Sequence, residues 1–253
     1  MTATTADLVE IFPSIQGEGL LVGTPQVFVR LAGCDQHCSY CDTPAARGAA
    51  PRQLRHTVGG VTTEVSNPLD AARVVTLVGQ TVSTWPALTM AAITGGEPLL
   101  AVDFLEELLP GLRHVGLGIQ LETNGLLPEA FGRVVSLLDV ASVDIKLPRT
   151  TALPSAEITR RTRELLSVAM QVKGLHCKVV LTEEDTDEEL RQARDLVAEV
   201  WPRIPMYLTP VTEIPGGPRP PDLARLMQMA ALFRERLESL RILPQVHRLA
   251  HWR

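Results

Sequence analysis

Seven short apolar runs, most of them rich in β-branched residues, recur along the chain: 26–33 (QVFVRLAG), 87–94 (ALTMAAIT), 115–122 (VGLGIQLE), 140–146 (VASVDIK), 177–182 (CKVVLT), 205–210 (PMYLTP) and 240–244 (LRILP). Their length suits strands buried on both faces. Between several of them the apolar positions change to a helical period. Asn67-Pro68-Leu69-Asp70 reads as an N-cap, a proline at the first helical position and an acid in the first turn, predicting a helix to about Thr81. Thr186 and Glu189 stand at capping-box spacing and open a helix to about Val200. Asp222 to Ser239 forms a further amphipathic stretch. Strands alternating with helices predict an α/β fold with a mostly parallel sheet. Seven strands, with too few well-formed helices for eight βα units, predict an incomplete TIM-like (β/α) barrel with its chemistry at the carboxyl ends of the strands. Neither an internal repeat nor a linker interrupts the pattern, so 1–253 reads as a single domain. Two irregular surface insertions are expected, near 44–66 and 212–221.

Composition narrows the class. With 253 residues and 45% hydrophobic content the chain is long and apolar enough for a sizeable core. A net charge of −5 supplies no electrostatic footprint for nucleic acid. No run approaches the length of a membrane span. The start MTATTADLVEIF has neither a basic n-region nor an apolar h-region, so a cytoplasmic protein without a signal peptide is expected.

The four cysteines carry the first chemistry. Cys34, Cys38 and Cys41 fall in GCDQHCSYCDTP, with C-x3-C-x2-C spacing directly after the first strand. In a reducing compartment such thiols serve metals or catalysis more often than disulfides. Three thiolates on one loop hold three corners of a [4Fe–4S] cube and leave one iron open to a small nitrogen and oxygen ligand. Zinc is the alternative, and it needs a fourth ligand. His37 is poorly placed beside Cys38, and Cys177 lies in the apolar run CKVV, where a small buried strand residue is expected. The second signal is ITGGEPLL at 93–100: Gly95 and Gly96 let backbone approach a ligand, and Glu97 offers a carboxylate to a cationic donor.

Together these segments resemble the radical S-adenosylmethionine superfamily. The resemblance implies that Cys34, Cys38 and Cys41 bind the cluster, that S-adenosylmethionine chelates its open iron, and that Gly95, Gly96 and Glu97 bind the cofactor's amino group. Tyr40 would line the adenine site. The implied fold is a full or partial (β/α) barrel.

A more specific resemblance is to the 7-carboxy-7-deazaguanine synthase family of the queuosine-type pathway. It rests on EIFPSIQGEG (10–19), FVRLAGC (28–34), CDTP (41–44), ITGGEP (93–98), LETNG (121–125), VDIK (143–146), KVVLT (178–182), YLTPVT (207–212) and LPQVH (243–247), all in order. The implied substrate is 6-carboxy-5,6,7,8-tetrahydropterin, contacted by Gln16, Gly17, Glu18, Arg30, Gly96, Gln245 and His247. Glu18 suits the N–H donors of the aminopyrimidinone edge, Gln16 can donate and accept, and Arg30 can take the carboxylate bidentately. Thr43 resembles the family's Mg²⁺ ligand. Asn124, Asp144 and Lys146 stand at strand ends on the cofactor side, with Asp144 placed for the ribose hydroxyls. Thr209 replaces a common Gln, so its expected cofactor contact is altered, and Arg248 replaces a common Lys. Residues 45–67 match poorly. The terminal carboxylate of Arg253, six residues after His247, would come within reach of the site.

The reaction so implied is a lyase step. A 5′-deoxyadenosyl radical takes hydrogen from C6 of the pterin, the ring contracts and ammonia leaves. A flavodoxin-type reductant and a homodimer are also implied, with neither nucleic acid nor membrane as partner. Two alternatives stand at this point: another radical enzyme such as a glycyl-radical activase, and a non-catalytic metal-binding module.

Overall fold

Each of the seven apolar runs forms a strand in the computed structural model, which describes residues 3–151, 153–214 and 216–252. The first elements are β1 (Thr5–Ala6), β2 (Leu8–Ile15), β3 (Pro25–Leu31), α1 (Pro44–Arg47), β4 (Gln53–Val58), β5 (Val61–Ser66), β6 (Leu69–Asp70) and α2 (Ala71–Thr84). Strands β7 (Met90–Gly95), β8 (Gly118–Thr123), β9 (Val140–Asp144), β10 (Gly174–Leu181), β11 (Met206–Pro210) and β12 (Leu240–Ile242) follow. Between them lie α3 (Val102–His114), α4 (Pro128–Val134), α5 (Ser155–Ala169), α6 (Asp187–Val200) and α7 (Leu223–Arg234), and α8 (Val246–Leu249) comes after β12.

The main sheet runs β12-β11-β10-β9-β8-β7-β3-β2-β4-β5. Every pairing from β3 to β12 is parallel. Strands β5 and β12 are its unjoined edges, so the α/β barrel is incomplete. Among the described residues no helix is long and apolar enough to cross a membrane.

Three local expectations are corrected. The helix expected from Asn67 begins at Ala71, with Asp70 as its cap: the Arg73 amide donates to Asp70 Oδ1 at 2.8 Å. Asn67 is used elsewhere, its Nδ2 donating to the carbonyls of Leu8 (2.7 Å) and Pro51 (2.9 Å). The Asn67–Pro68 peptide is cis, and Pro68 lies outside the helix. Residues 53–66, expected to be irregular, form a hairpin whose two-residue turn is Gly59-Gly60, both at positive φ (58° and 81°). The helix expected over 222–239 ends at Arg234. The capping box does form, with Glu189 N donating to Thr186 Oγ1 (3.3 Å) and Thr186 N donating to Glu189 Oε2 (3.2 Å). Strand β2 adds an element beyond the seven runs, antiparallel to β3 and parallel to β4.

The strands bury two different faces, because successive side chains point to opposite sides of a sheet. On β3, Val27, Val29 and Leu31 join the main apolar cluster with the helices, whereas Phe28 packs with Phe12 and Ala92 in a separate small cluster. Gln26 and Arg30 share the Phe28 side of the pleat, and Arg30 stands opposite Thr94 of β7. The same alternation carries Gln120 and Glu122 on β8, and Lys178 and Val180 on β10. The barrel interior is therefore polar toward its carboxyl end, even though most of the strands read as apolar runs.

Candidate active site

The chain leaves β3 through Gly33, whose φ of 96° favours glycine. Its amide donates to Ala46 O (2.8 Å) and its carbonyl accepts from Glu97 N (2.8 Å), which fixes the start of the cysteine loop. Cys34, Cys38 and Cys41 all border one cleft at the carboxyl ends of the strands, and none is in a disulfide. The Gln36 amide donates to Cys34 Sγ at 3.4 Å. Even so, burial pushes the Cys34 thiol up to about 11, so a thiolate there needs a compensating cation. Asn124 Nδ2 holds Asp35 Oδ1 at 2.8 Å and ties the loop to the end of β8. Cys177 is fully buried on β10 and does not border the cleft, so it offers the loop no fourth thiolate. This donor set fits a [4Fe–4S] cluster held at three corners.

Gly95 and Gly96 border the same cleft, but their lack of side chains is required by the protein itself. A Cβ on Gly95 would lie 2.2 Å from Leu31 O, and one on Gly96 would lie 1.9 Å from Gly33 O. Glu97 departs from expectation. It is 1% exposed and does not border the cleft. Its carboxylate accepts from Leu99 N (3.0 Å), Thr123 Oγ1 (3.0 Å) and Asn124 N (2.7 Å). Burial nevertheless raises its carboxyl to about 7. In this arrangement Glu97 pins β7 to β8 from behind the cleft wall.

On the cofactor side, Lys146 Nζ donates to Asp144 Oδ2 (2.7 Å) and Tyr40 Oη (3.4 Å), and lies 5.4 Å from the centre of the Tyr40 ring. Burial lifts the Tyr40 phenol to about 12. Burial alone would also raise Asp144, but the Lys146 and Lys178 ammoniums hold it down to about 2. Asn124 borders this region, as does Thr209, whose buried Oγ1 has no hydrogen-bond partner among the described residues.

Across the cleft, Arg30 donates Nε to Glu10 Oε1 (3.0 Å), and Arg55 Nη2 donates to Glu10 Oε2 (2.9 Å). Gln16 is committed at both ends, donating Nε2 to Glu122 Oε1 (2.9 Å) and accepting from Glu18 N (3.1 Å). Thr94 Oγ1 donates to the other oxygen of Glu122 at 2.8 Å. Glu18 is ion-paired with Lys178 and accepts from Gln245 Nε2 (2.7 Å), which also donates to Asp42 Oδ2 (3.0 Å). Gly17 is narrow because a Cβ there would meet His247 Nδ1 at 2.2 Å. The Val246 amide donates to Gly17 O at 3.0 Å. Thr43 also borders the cleft, its Oγ1 3.5 Å from Asp42 Oδ1. Ligand atoms of Glu18, Asp42 and His247 lie within 4.8 Å of one another.

The cleft thus collects every expected site residue except Glu97. Sequence reasoning missed Glu10, Asp42, Thr94, Glu122 and Lys178 as participants. All five sit inside motifs that were legible: Glu10 in EIFPSIQGEG, Asp42 in CDTP, Thr94 in ITGGEP, Glu122 in LETNG and Lys178 in KVVLT. For Glu10, Thr94, Glu122 and Lys178 the usable signal was a polar residue inside an otherwise apolar strand. Arg253 lies outside the described residues, and with it the expected reach of the terminal carboxylate.

A three-thiol loop at the carboxyl end of an incomplete barrel defines the radical S-adenosylmethionine class, and residues 29–197 match the family model described as the Radical SAM superfamily. The 7-carboxy-7-deazaguanine synthase of Geobacter sulfurreducens is 38% identical over 252 residues, covering 98% of this chain and 98% of the relative. That of Methanopyrus kandleri is 36% identical over 245 residues, covering 95% and 91%. The crystal structure of QueE from Escherichia coli shares the fold at a TM-score of 0.62 and 21% identity, covering 96% and 95% of the two chains. This chain belongs to the 7-carboxy-7-deazaguanine synthase family. Membership brings a [4Fe–4S] cluster and S-adenosylmethionine as cofactors. It does not favour the reading as a passive metal-binding module.

Proposed function

We propose that the chain converts 6-carboxy-5,6,7,8-tetrahydropterin to 7-carboxy-7-deazaguanine and ammonia, as a lyase built on one domain. The observation that carries this reading is a single cleft with three free thiols at one side and the Arg30, Glu18 and Gln245 group at another. Cys34, Cys38 and Cys41 would hold the cluster, which with S-adenosylmethionine would supply radical hydrogen-abstraction chemistry toward C6 of the pterin. The protein's part is orientation and exclusion of water.

Arg30, fixed through Nε by Glu10, presents the rest of its guanidinium to the substrate carboxylate. Glu18, ion-paired with Lys178, accepts the N–H donors of the aminopyrimidinone edge. Gln245 and His247 close the same edge from the segment around α8, while Gly17 leaves room for His247. Tyr40, Asn124, Asp144, Lys146 and Thr209 form the cofactor side, with the Asp144 carboxylate as acceptor for ribose hydroxyls. Gly95 and Gly96 bring bare backbone to the cofactor's amino end.

We assign Mg²⁺ to the Thr43 hydroxyl, with substrate oxygens filling its sphere. The neighbouring Asp42 carboxyl supplies negative charge: burial would raise it, but Gln245, Arg248 and Lys178 hold it below the ordinary value. By family reading, electrons come from a flavodoxin-type reductant and the enzyme is a homodimer. Leu223 and Met227, one turn apart and exposed on α7, supply an apolar patch for a second copy.

The test is an anaerobic assay of the reconstituted, reduced protein with the pterin, S-adenosylmethionine and Mg²⁺. Carboxydeazaguanine is expected by mass spectrometry. Cleavage of S-adenosylmethionine without that product would place the chain with a different radical reaction.

A further inference from the structure

Lys178 stands between the two halves of the cleft. Its ammonium is ion-paired with Glu18 on the pterin side and lies 3.3 Å from Asp144 Oδ1 on the cofactor side. The bridge follows from strand register, because Lys178 of β10 is the direct neighbour of Asp144 on β9. Asp144 offers its other oxygen, Oδ2, to Lys146 at 2.7 Å. Glu18 offers Oε1 to Gln245. One half-buried cation is thus shared by two carboxylates, Glu18 and Asp144, that face the two sides of the cleft. Burial alone would lower the Lys178 ammonium, but Asp144 and Glu18 raise it well above its ordinary value, so it keeps its charge throughout.

We infer that Lys178 is a positioning residue that couples the two binding events, so that S-adenosylmethionine tightens the pterin and the pterin tightens S-adenosylmethionine. This rests on the reading of the cleft given above. Ribose hydroxyls donating to Asp144 Oδ1 take the place of the longer contact and leave the ammonium wholly to Glu18. Glu18 is then held in a fixed plane, with lone pairs remaining for the pterin's N–H donors. In the other direction, a pterin whose N–H donors seat on Glu18 favours the same placement, with Glu18 ordered by the ammonium, and so leaves Asp144 Oδ1 free for the ribose hydroxyls. A single charge with two alternative partners is a sufficient two-state element for such coupling.

The experiment is anaerobic calorimetry on protein carrying the oxidised cluster, which binds S-adenosylmethionine without cleaving it. The Kd of the pterin is measured with and without saturating S-adenosylmethionine, and the converse pair is measured too. The two ratios must agree, because linkage is reciprocal. The wild-type ratio is expected at about fivefold or more, within the usual range for coupled sites. Lys178→Gln should bring it to within about twofold of one, and Lys178→Arg, which keeps the cation, should retain most of it. A lysine with a purely structural role would weaken both ligands and leave the ratio unchanged. Asp144→Asn, which leaves the Glu18 contact in place, should also abolish the ratio and serves if Lys178→Gln fails to load its cluster. A wild-type ratio of one overturns the inference while leaving the substrate assignment standing. So does an unchanged ratio in Lys178→Gln or, if that protein does not load, in Asp144→Asn. A pterin that does not bind wild type at all overturns both.

Discussion

Arg30 donates its Nε to Glu10 Oε1 across 3.0 Å, which leaves the forked end of the guanidinium for the cleft that Arg30 borders. Glu10 is itself 7% exposed and shared with Arg55, so the pair is a fixed support rather than a loose surface contact. Glu10→Gln should raise the KM for the pterin about tenfold, equivalent to about 1.4 kcal/mol, with iron content unchanged. Arg30→Lys should act in the same direction, because an ammonium cannot reproduce a bidentate fork. Steady-state kinetics alongside iron analysis checks both, and unchanged KM values would remove Arg30 from the substrate site.

Cys38→Ala should abolish cluster loading and turnover while sparing the fold. The side chain is small and at the cleft, so its loss should cost no more than about 1 kcal/mol of stability. The readouts are absorbance near 400 nm, iron and sulfide content, and a urea melt of the cluster-free proteins. Retained iron at the wild-type level would show that Cys38 is not a ligand.

Glu97 predicts a pH dependence with a definite sign. Its carboxyl rises from an ordinary value of 4.5 to about 7 on folding, because it is buried. The folded chain therefore binds more protons than the unfolded chain between those values, and stability falls as pH rises through that window. The slope contributed is at most about 1.4 kcal/mol per pH unit. Urea midpoints at pH 5, 6, 7 and 8 should show this loss in the wild type and a flatter profile in Glu97→Gln. Equal slopes in the two proteins would mean that Glu97 stays ionised.

Gly96→Ala should fail for a steric reason. The new Cβ would lie 1.9 Å from Gly33 O and 2.7 Å from Ala46 O, both backbone atoms that cannot swing aside. Because Gly33 also anchors the start of the cysteine loop, cluster content should fall together with stability, by about 2 kcal/mol or more. Normal loading and melting in this variant would show that the β3–β7 crossing is looser than described.

The sequence by itself determined the parallel strands, one helix start and the three-thiol loop. Seven apolar runs set seven parallel strands, Thr186 and Glu189 set a helix start, and the spacing of Cys34, Cys38 and Cys41 set a three-thiol loop, because each signal is confined to a few neighbouring residues. The hairpin at 53–66 was read as irregular, although a Gly-Gly pair flanked by β-branched residues carried a signal for it. Tertiary structure decided which charges meet. Glu10 beneath Arg30, Glu122 between Gln16 and Thr94, and Lys178 between Glu18 and Asp144 join residues that are distant in sequence. Glu97 shows the same division: its motif announced a carboxylate, but the β7–β8 pairing turned it behind the wall. Local pattern fixes which face of a strand a side chain takes. Register and closure of the sheet fix what stands opposite, and only the folded barrel contains that information.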